Sequence, residues 1–259
     1  ALAHRGPDAS KIFRSGAIGL AHARLSVIDP SPLANQPFTE AKGRYTIIFN
    51  GEIFNYKKLR SDLIGRGYNF TTDSDTEVVL YLYMHRGTDF LKKLRGFFAL
   101  AIYDAHEESL FIARDRFGEK PLLYYKDGDR LLFGSELGAL FSLGVPRELD
   151  YTSLYQYLQL TYVPAPASMV KGVKKLLPGH ALYVKNGKAQ ITTWYRLPYD
   201  AGKVEQSVLP YPQQKAKLRK LLDQAVADRL VADVPVGAFL SGGIDSSIVV
   251  GLAAGHVPN

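Results

Sequence analysis

The chain has 259 residues, with Lys and Arg at 32 against Asp and Glu at 25, for a formal net charge of +7. Hydrophobic residues at 46% and charged residues at 22% exclude a disordered chain or a coiled coil, and the longest apolar run, Phe97 to Tyr103, is far short of the ~20 residues of a membrane helix. The 259 residues include no Cys, which removes disulfides, thiolate metal ligands and a Cys nucleophile from them.

The basic residues are scattered. Their densest clusters, Lys57-Lys58, Lys92-Lys93 and Lys174-Lys175, are pairs, the pattern of a solvated surface rather than a nucleic-acid face. Small anionic substrates such as ATP are a third reading of the charge. No signal-peptide pattern opens the chain, so a soluble, cytoplasmic protein without a membrane or nucleic-acid partner is expected. Residue 1 is Ala rather than Met, and the expectation is a fragment that starts after its translation start.

Tyr45 to Phe49 is a β-rich run ending at the turn pair Asn50-Gly51. Tyr56, Leu59 and Leu63 follow at helical spacing, stopped by Gly65 and Gly67. Ser74-Asp75-Thr76-Glu77 has the form of a capping box and opens a helix that ends near Gly87. Phe97 to Tyr103, Leu110 to Ala113 and Leu122 to Tyr125 read as strands. The last pairs with Leu131 to Phe133 across Lys126-Asp127-Gly128-Asp129, a hairpin signal. Tight turns make neighbouring strands of this set antiparallel.

The character changes near Gly202. Gln213 to Ala232 is helical, with Leu218, Leu221, Leu222, Ala225 and Val226 on one side. Val234 to Leu240 reads as a short strand, Ser241-Gly242-Gly243 as a loop and Ser246 to Ala254 as helix. One strand cannot make a stable sheet by itself, so a truncated second domain is expected, with a boundary within 195–212.

The loop at Ser241 carries chemistry. Glycines let a backbone approach an anion, and a helix N-terminus supplies N–H groups and positive dipole; Ser241, Ser246 and Ser247 add hydroxyls. The loop fits neither the NTPase P-loop nor the dinucleotide fingerprint. Its S-G-G-x-D-S order resembles the pyrophosphate loop of ATP pyrophosphatases. That resemblance implies ATP binding by Leu240, Ser241, Gly242, Gly243, Asp245, Ser246 and Ser247, with Asp245 helping to ligate Mg²⁺ through pyrophosphate. A glycine-rich turn with an ordinary helix cap is the plainer alternative.

Earlier segments add to this in a fixed order: His4-Arg5-Gly6-Pro7-Asp8, His22-Ala23-Arg24-Leu25-Ser26-Val27-Ile28-Asp29, Asn35-Gln36-Pro37-Phe38, Phe49-Asn50-Gly51-Glu52, Ser74-Asp75-Thr76-Glu77, Arg114-Asp115-Arg116-Phe117-Gly118-Glu119-Lys120-Pro121-Leu122 and Phe133-Gly134-Ser135-Glu136. With the pyrophosphate loop, they resemble the glutamine-hydrolysing asparagine synthetase family over nearly the whole chain. The resemblance implies an α+β fold. Residues 1–200 would form a class II glutamine amidotransferase domain, an N-terminal-nucleophile-type α/β/β/α sandwich of antiparallel sheets lacking its first strand. Residues 201–259 would begin an α/β, adenine nucleotide α-hydrolase-like synthetase domain, the two linked by an ammonia tunnel.

It also implies the site. Arg24 pairs with the α-carboxylate of glutamine; Glu52 and Asp75 hold the α-ammonium; Leu25, Ser26, Val27 and Ile28 line the pocket; Asn50 and Gly51 form the oxyanion hole. Without the resemblance, Arg24 reads as a surface ion-pair partner and Asp75 as a first-turn helix residue favoured by the dipole. Arg114-Asp115-Arg116 reads as charges that fix a sheet edge and a domain contact. The family's nucleophile is an N-terminal Cys, absent here. A fragment is expected rather than a relative without glutaminase such as β-lactam synthetase.

The implied reaction is ATP-dependent synthesis of asparagine from aspartate through β-aspartyl-AMP, with ammonia from glutamine. A uronic-acid sugar as acceptor and a non-catalytic scaffold are the alternatives, and a homodimer is left open.

Overall fold

The computed structural model describes residues 1–200, 202 and 208–256. Residue 201, the expected start of the second domain, lies outside them, as do 203–207 and 257–259. The chain divides into two compact units, Ala1–Ser26 with Ser31–Arg196, and Val27–Pro30 with Leu197–Asn259.

The first unit is built on a six-stranded antiparallel sheet. In spatial order it comprises β11 (Lys188–Thr193), β10 (His180–Lys185), β6 (Ser109–Arg114), β5 (Gly96–Asp104), β4 (Tyr45–Ile53) and β3 (Phe38–Thr39). A two-stranded sheet of β1 (Ala9–Ser15) and β2 (Ile18–Arg24) and a three-stranded sheet in the order β8 (Arg130–Gly134), β7 (Leu123–Asp127), β9 (Val173–Lys175) complete the strands. The close spacing that makes neighbours antiparallel holds for β5–β6 and for the β7–β8 hairpin. β7 does not continue the sheet of β5 and β6 but pairs with β8 and β9.

Period-two alternation sorts β4 into two faces. Ile47, Phe49 and Ile53 are buried on the side of α2 (Asp75–Arg86), which packs on β4, with α1 (Tyr56–Ile64) against α2. On the same side, Phe111 of β6 stacks on Tyr83 of α2 at 5.7 Å. The opposite face carries Ile48, which joins a core of Leu20, Ala99, Ala101, Leu110, Ile112 and Leu182 between the sheets. Burying an aliphatic side chain of this size contributes about 1.5–3 kcal/mol. A second core of Leu140, Val145, Val170 and Val173, with Leu123 and Leu132 against it, seats α3 (Leu137–Ser142) on the β7–β8 hairpin. After it comes α4 (Tyr151–Leu160), capped by Asp150, whose Oδ1 accepts from Ser153 N–H at 2.7 Å. Helix, sheet, sheet, helix is the layer order, as the resemblance implies.

The second unit contributes α5 (Tyr211–Asp228) and α6 (Ile244–Ala254), which meet along a groove lined by Leu218, Leu222, Ile248 and Leu252. The strand expected over Val234 to Leu240 does not form; this stretch is irregular, and Val236, Phe239 and Leu240 are exposed. A strand needs a neighbour for its backbone groups, and the described residues of this unit include none. Among the described residues no helix is long and apolar enough to cross a membrane.

Candidate active site

Between the sheets of the first unit, the apolar lining turns polar at one end. Along β2 the inward positions run Leu20, His22, Arg24; along β4 they run Ile48, Asn50, Glu52, with Leu20 and Ile48 in the core. Arg24 is only 5% exposed, which overturns its reading as a surface ion-pair partner. Its Nη1 donates to the Ser31 carbonyl and to Asn35 Oδ1, both at 2.9 Å, so the guanidinium is oriented by its own surroundings.

The open edge of β4 supplies main-chain donors. Phe49 N–H donates to Gln36 Oε1 at 2.6 Å, and Ile53 N–H donates to Asp75 Oδ2 at 3.0 Å. Odd positions of β4 therefore point their N–H away from β5. Gly51 has the same parity, so the alternation of an antiparallel pair aims its N–H along that edge, between Phe49 and Ile53. A Cβ at Gly51 would collide with the Phe97 carbonyl and Phe98 Cα of β5; only glycine allows this approach. Asn50 Nδ2 stands 3.4 Å from Ser135 Oγ, which brings the Phe133-Gly134-Ser135-Glu136 segment to the same place. Glu136 in turn pairs with Arg5 at 2.7 Å and with His4 at 3.2 Å.

Asp75 is buried at the start of α2, whose cap forms as the capping box requires: Ser74 Oγ accepts from Glu77 N–H at 3.3 Å. The buried Glu77 carboxylate accepts from the N–H groups of Thr71 and Thr72 at 3.0 and 2.7 Å. Burial pushes the Asp75 carboxyl up to about 7, the charge of Glu52 adds to this, and the backbone N–H groups of Ile53 and Thr76 oppose it. Burial also raises Glu52, against the pull of Lys120. Arg24 at the end of β2 and Glu52 near the end of β4 thus occupy inward positions of the two sheets, and the Asp75 carboxyl, bonded to Ile53 N–H, is a neighbour of Glu52.

Other expected residues sit differently. Leu25 is 61% exposed, and Ser26 uses its N–H on Asp8 Oδ2 at 2.7 Å. Val27 and Ile28 belong to the second unit, where the Val27 carbonyl accepts from Asp233 N–H at 2.9 Å. Two residues of the motifs gain a role that the sequence does not assign. His22 Nε2 lies 3.1 Å from the Phe49 carbonyl; burial lowers its pKa to about 4, so the imidazole is neutral and Nε2 carries the proton. Gln36 is buried and bonds Phe49 N–H on one side and Thr76 Oγ1, at 3.1 Å, on the other.

A family model for the glutamine amidotransferase domain matches residues 1–195, and one for asparagine synthase matches 217–259. The chain belongs to the glutamine amidotransferase domain family. It is similar to asparagine synthetase [glutamine-hydrolyzing] 1 of Bacillus subtilis, 38% identical over all of this chain and 40% of that protein. Amidase chry2 of Gibberella zeae is 36% identical over 98% of this chain and 37% of its own length. The chain thus spans about two fifths of the curated relatives it matches. A solved structure of an allosteric regulatory enzyme of purine biosynthesis superposes with a TM-score of 0.50 at 17% identity, over 92% of this chain and 50% of that one; it supports the fold alone.

Outside the amidotransferase unit, the Ser241 to Ser247 loop leads into α6, whose N-cap is Gly243. Gly242 takes φ +80°, with open space where a side chain would lie. The hydroxyls of Ser246 and Ser247 donate to the Gly243 carbonyl at 3.0 and 2.8 Å, and Ser241 Oγ lies 2.9 Å from Ser246 Oγ. A loop with accessible backbone at the start of an eleven-residue helix fits a polyphosphate. Asp245 is the acidic residue of the first turn, and no cluster of three metal-binding side chains occurs among the described residues. This donor set fits Mg²⁺ held mainly through phosphate oxygens.

Proposed function

We propose that the protein makes asparagine from aspartate and ATP, with glutamine as nitrogen donor bound in the first unit. The observation that carries the glutamine reading is a buried Arg24 at the end of β2 together with the neighbouring carboxyls of Glu52 and Asp75 beside the Gly51 stretch of β4. Arg24 takes the α-carboxylate as a charge-assisted pair. Asp75 and Glu52 take the α-ammonium, and the side-chain amide then lies along β4. There Gly51 N–H and Asn50 Nδ2 receive the oxyanion that develops when a thiol attacks the amide carbon. That thiol is not among these 259 residues; they supply binding, orientation and the oxyanion donors.

In the second unit, Ser241, Gly242, Gly243, Ser246 and Ser247 would hold the β- and γ-phosphates, with Asp245 turned to Mg²⁺. ATP supplies the phosphorus that activates the acceptor carboxylate. Aspartate as that acceptor rests on likeness to the named asparagine synthetases. The chain's binding of L-glutamine, measured calorimetrically against L-asparagine and D-glutamine, tests the first half. Pyrophosphate release by the full-length protein, with aspartate or a uronic acid as acceptor, tests the second. Failure to prefer L-glutamine would remove the pocket assignment, and release driven by the sugar acid would remove aspartate.

A further inference from the structure

The Arg114 to Leu122 segment reads in the sequence as fixing a sheet edge, yet its bonds converge on one side chain. Asp115 is buried, and its carboxylate accepts from the N–H groups of Phe117, Glu119 and Lys120, all at 3.0 Å. Arg114 donates to three carbonyls, those of Lys120 and Gly118 at 2.7 Å and of Leu176 at 2.6 Å. Lys120 therefore has its N–H held by Asp115 and its carbonyl held by Arg114. No other residue of the loop is pinned by this pair at both main-chain groups among the bonds described.

The side chain so presented is half-buried, with Nζ 4.4 Å above the centre of the Phe97 ring. Phe97 is the β5 register partner of Glu52. Directly paired residues share a face with Cβ atoms about 4.5–5.5 Å apart, so the Lys120 ammonium stands beside the Glu52 carboxylate.

We propose that Lys120 is a positioning residue of the glutamine pocket, the built-in counter-charge that holds Glu52 ready for the substrate's α-ammonium. The inference rests on the glutamine reading above and deepens it. The charged groups around the pair are Glu52 on β4, Asp75 at the start of α2, Asp115 and Glu119 on the same loop, and Arg5 near the N-terminus. Two neighbouring, partly buried carboxylates repel each other, and the one with less compensating charge takes a proton more readily. Lys120 opposes the rise that burial gives Glu52, while burial, with the charge of Glu52 added, pushes Asp75 up to about 7, so the proton falls to Asp75 first. The arriving α-ammonium then meets one carboxylate already charged and oriented.

The test uses the 259-residue chain and two ligands, L-glutamine and 4-carbamoylbutanoate, which is glutamine without its α-amino group. Lys120→Met is expected to weaken L-glutamine about tenfold at pH 7 and to move the acid limb of its pH profile to higher pH. Lys120→Arg restores both, and 4-carbamoylbutanoate binds wild type and variants alike, which also shows that the variants are folded. In a Glu52→Gln background the Lys120→Met change has no further effect. Equal loss of both ligands, or an unchanged L-glutamine affinity in Lys120→Met, overturns the proposal. A wild-type chain that binds no L-glutamine removes the underlying reading, and this inference with it.

Discussion

Replacing Asp75 with Asn separates stability from binding, because the two depend on its charge with opposite signs. The carboxyl titrates near 3.8 in an unfolded chain and at about 7 in the fold. Between those values the native state holds a proton that the unfolded state has lost, so stability falls as pH rises, by about 1.4 kcal/mol per unit. From pH 5 to pH 8 that amounts to about 3 kcal/mol, with the fall ending above pH 7. The Asn side chain keeps an oxygen to accept from Ile53 N–H and has no proton to lose. Relative to wild type, Asp75→Asn is therefore expected to gain about 3 kcal/mol over this interval. Trp194 is the single Trp, stacked on Phe98 at 6.0 Å, so its fluorescence during urea unfolding reports the first unit. A stability difference between the two proteins that is the same at pH 5 and pH 8 would refute the reasoning. Binding runs the other way, because the α-ammonium needs the carboxylate. Wild-type glutamine affinity should fall as pH drops below about 7, with proton release on binding. The Asp75→Asn variant should bind far more weakly above pH 7, with the gap to wild type closing as pH falls.

Arg24→Ala should cost about 2–4 kcal/mol in glutamine affinity, the scale of leaving a carboxylate unpaired, while Arg24→Lys recovers only part; calorimetry checks both. Gln36→Leu strands the buried Phe49 N–H and should lower stability by about 1–3 kcal/mol, measured by urea unfolding. In the full-length protein, Asp245→Ala should abolish acceptor-dependent pyrophosphate release yet leave glutamine binding unchanged. Wild-type release from that variant would return Ser241 to Ser247 to a glycine-rich turn.

Local signals make much of the fold legible. Helical spacing at Tyr56, Leu59 and Leu63 and the box at Ser74 to Glu77 become α1 and the start of α2, and the Gly128 turn becomes the β7–β8 hairpin. Each rests on bonds between residues a few positions apart. The strand expected at Val234 to Leu240 fails because strand formation depends on a partner that periodicity does not reveal. Arg24, Glu52 and Asp75 enter the proposed site through resemblance, whereas His22, Gln36 and Lys120 stand in the motifs without a task. Their work is on distant backbone or across a register pair: His22 reaches Phe49 over 27 positions and Gln36 over 13. The two buried acids at Glu77 and Asp115 are similar, since only the folded loop shows which N–H groups they gather.

The peptide of Phe49 has a consequence for behaviour in solution. β3 pairs with β4 only at Ile47 and Thr46, so beyond that point β4 has no neighbouring strand on this side among the described residues. Gln36 and His22 take the Phe49 N–H and carbonyl, standing in for the ladder that a further strand would provide. An uncovered edge invites pairing with another chain. His22 and Gln36 thus occupy backbone groups that another chain could otherwise pair with, and loss of either is expected to appear as concentration-dependent aggregation in light scattering.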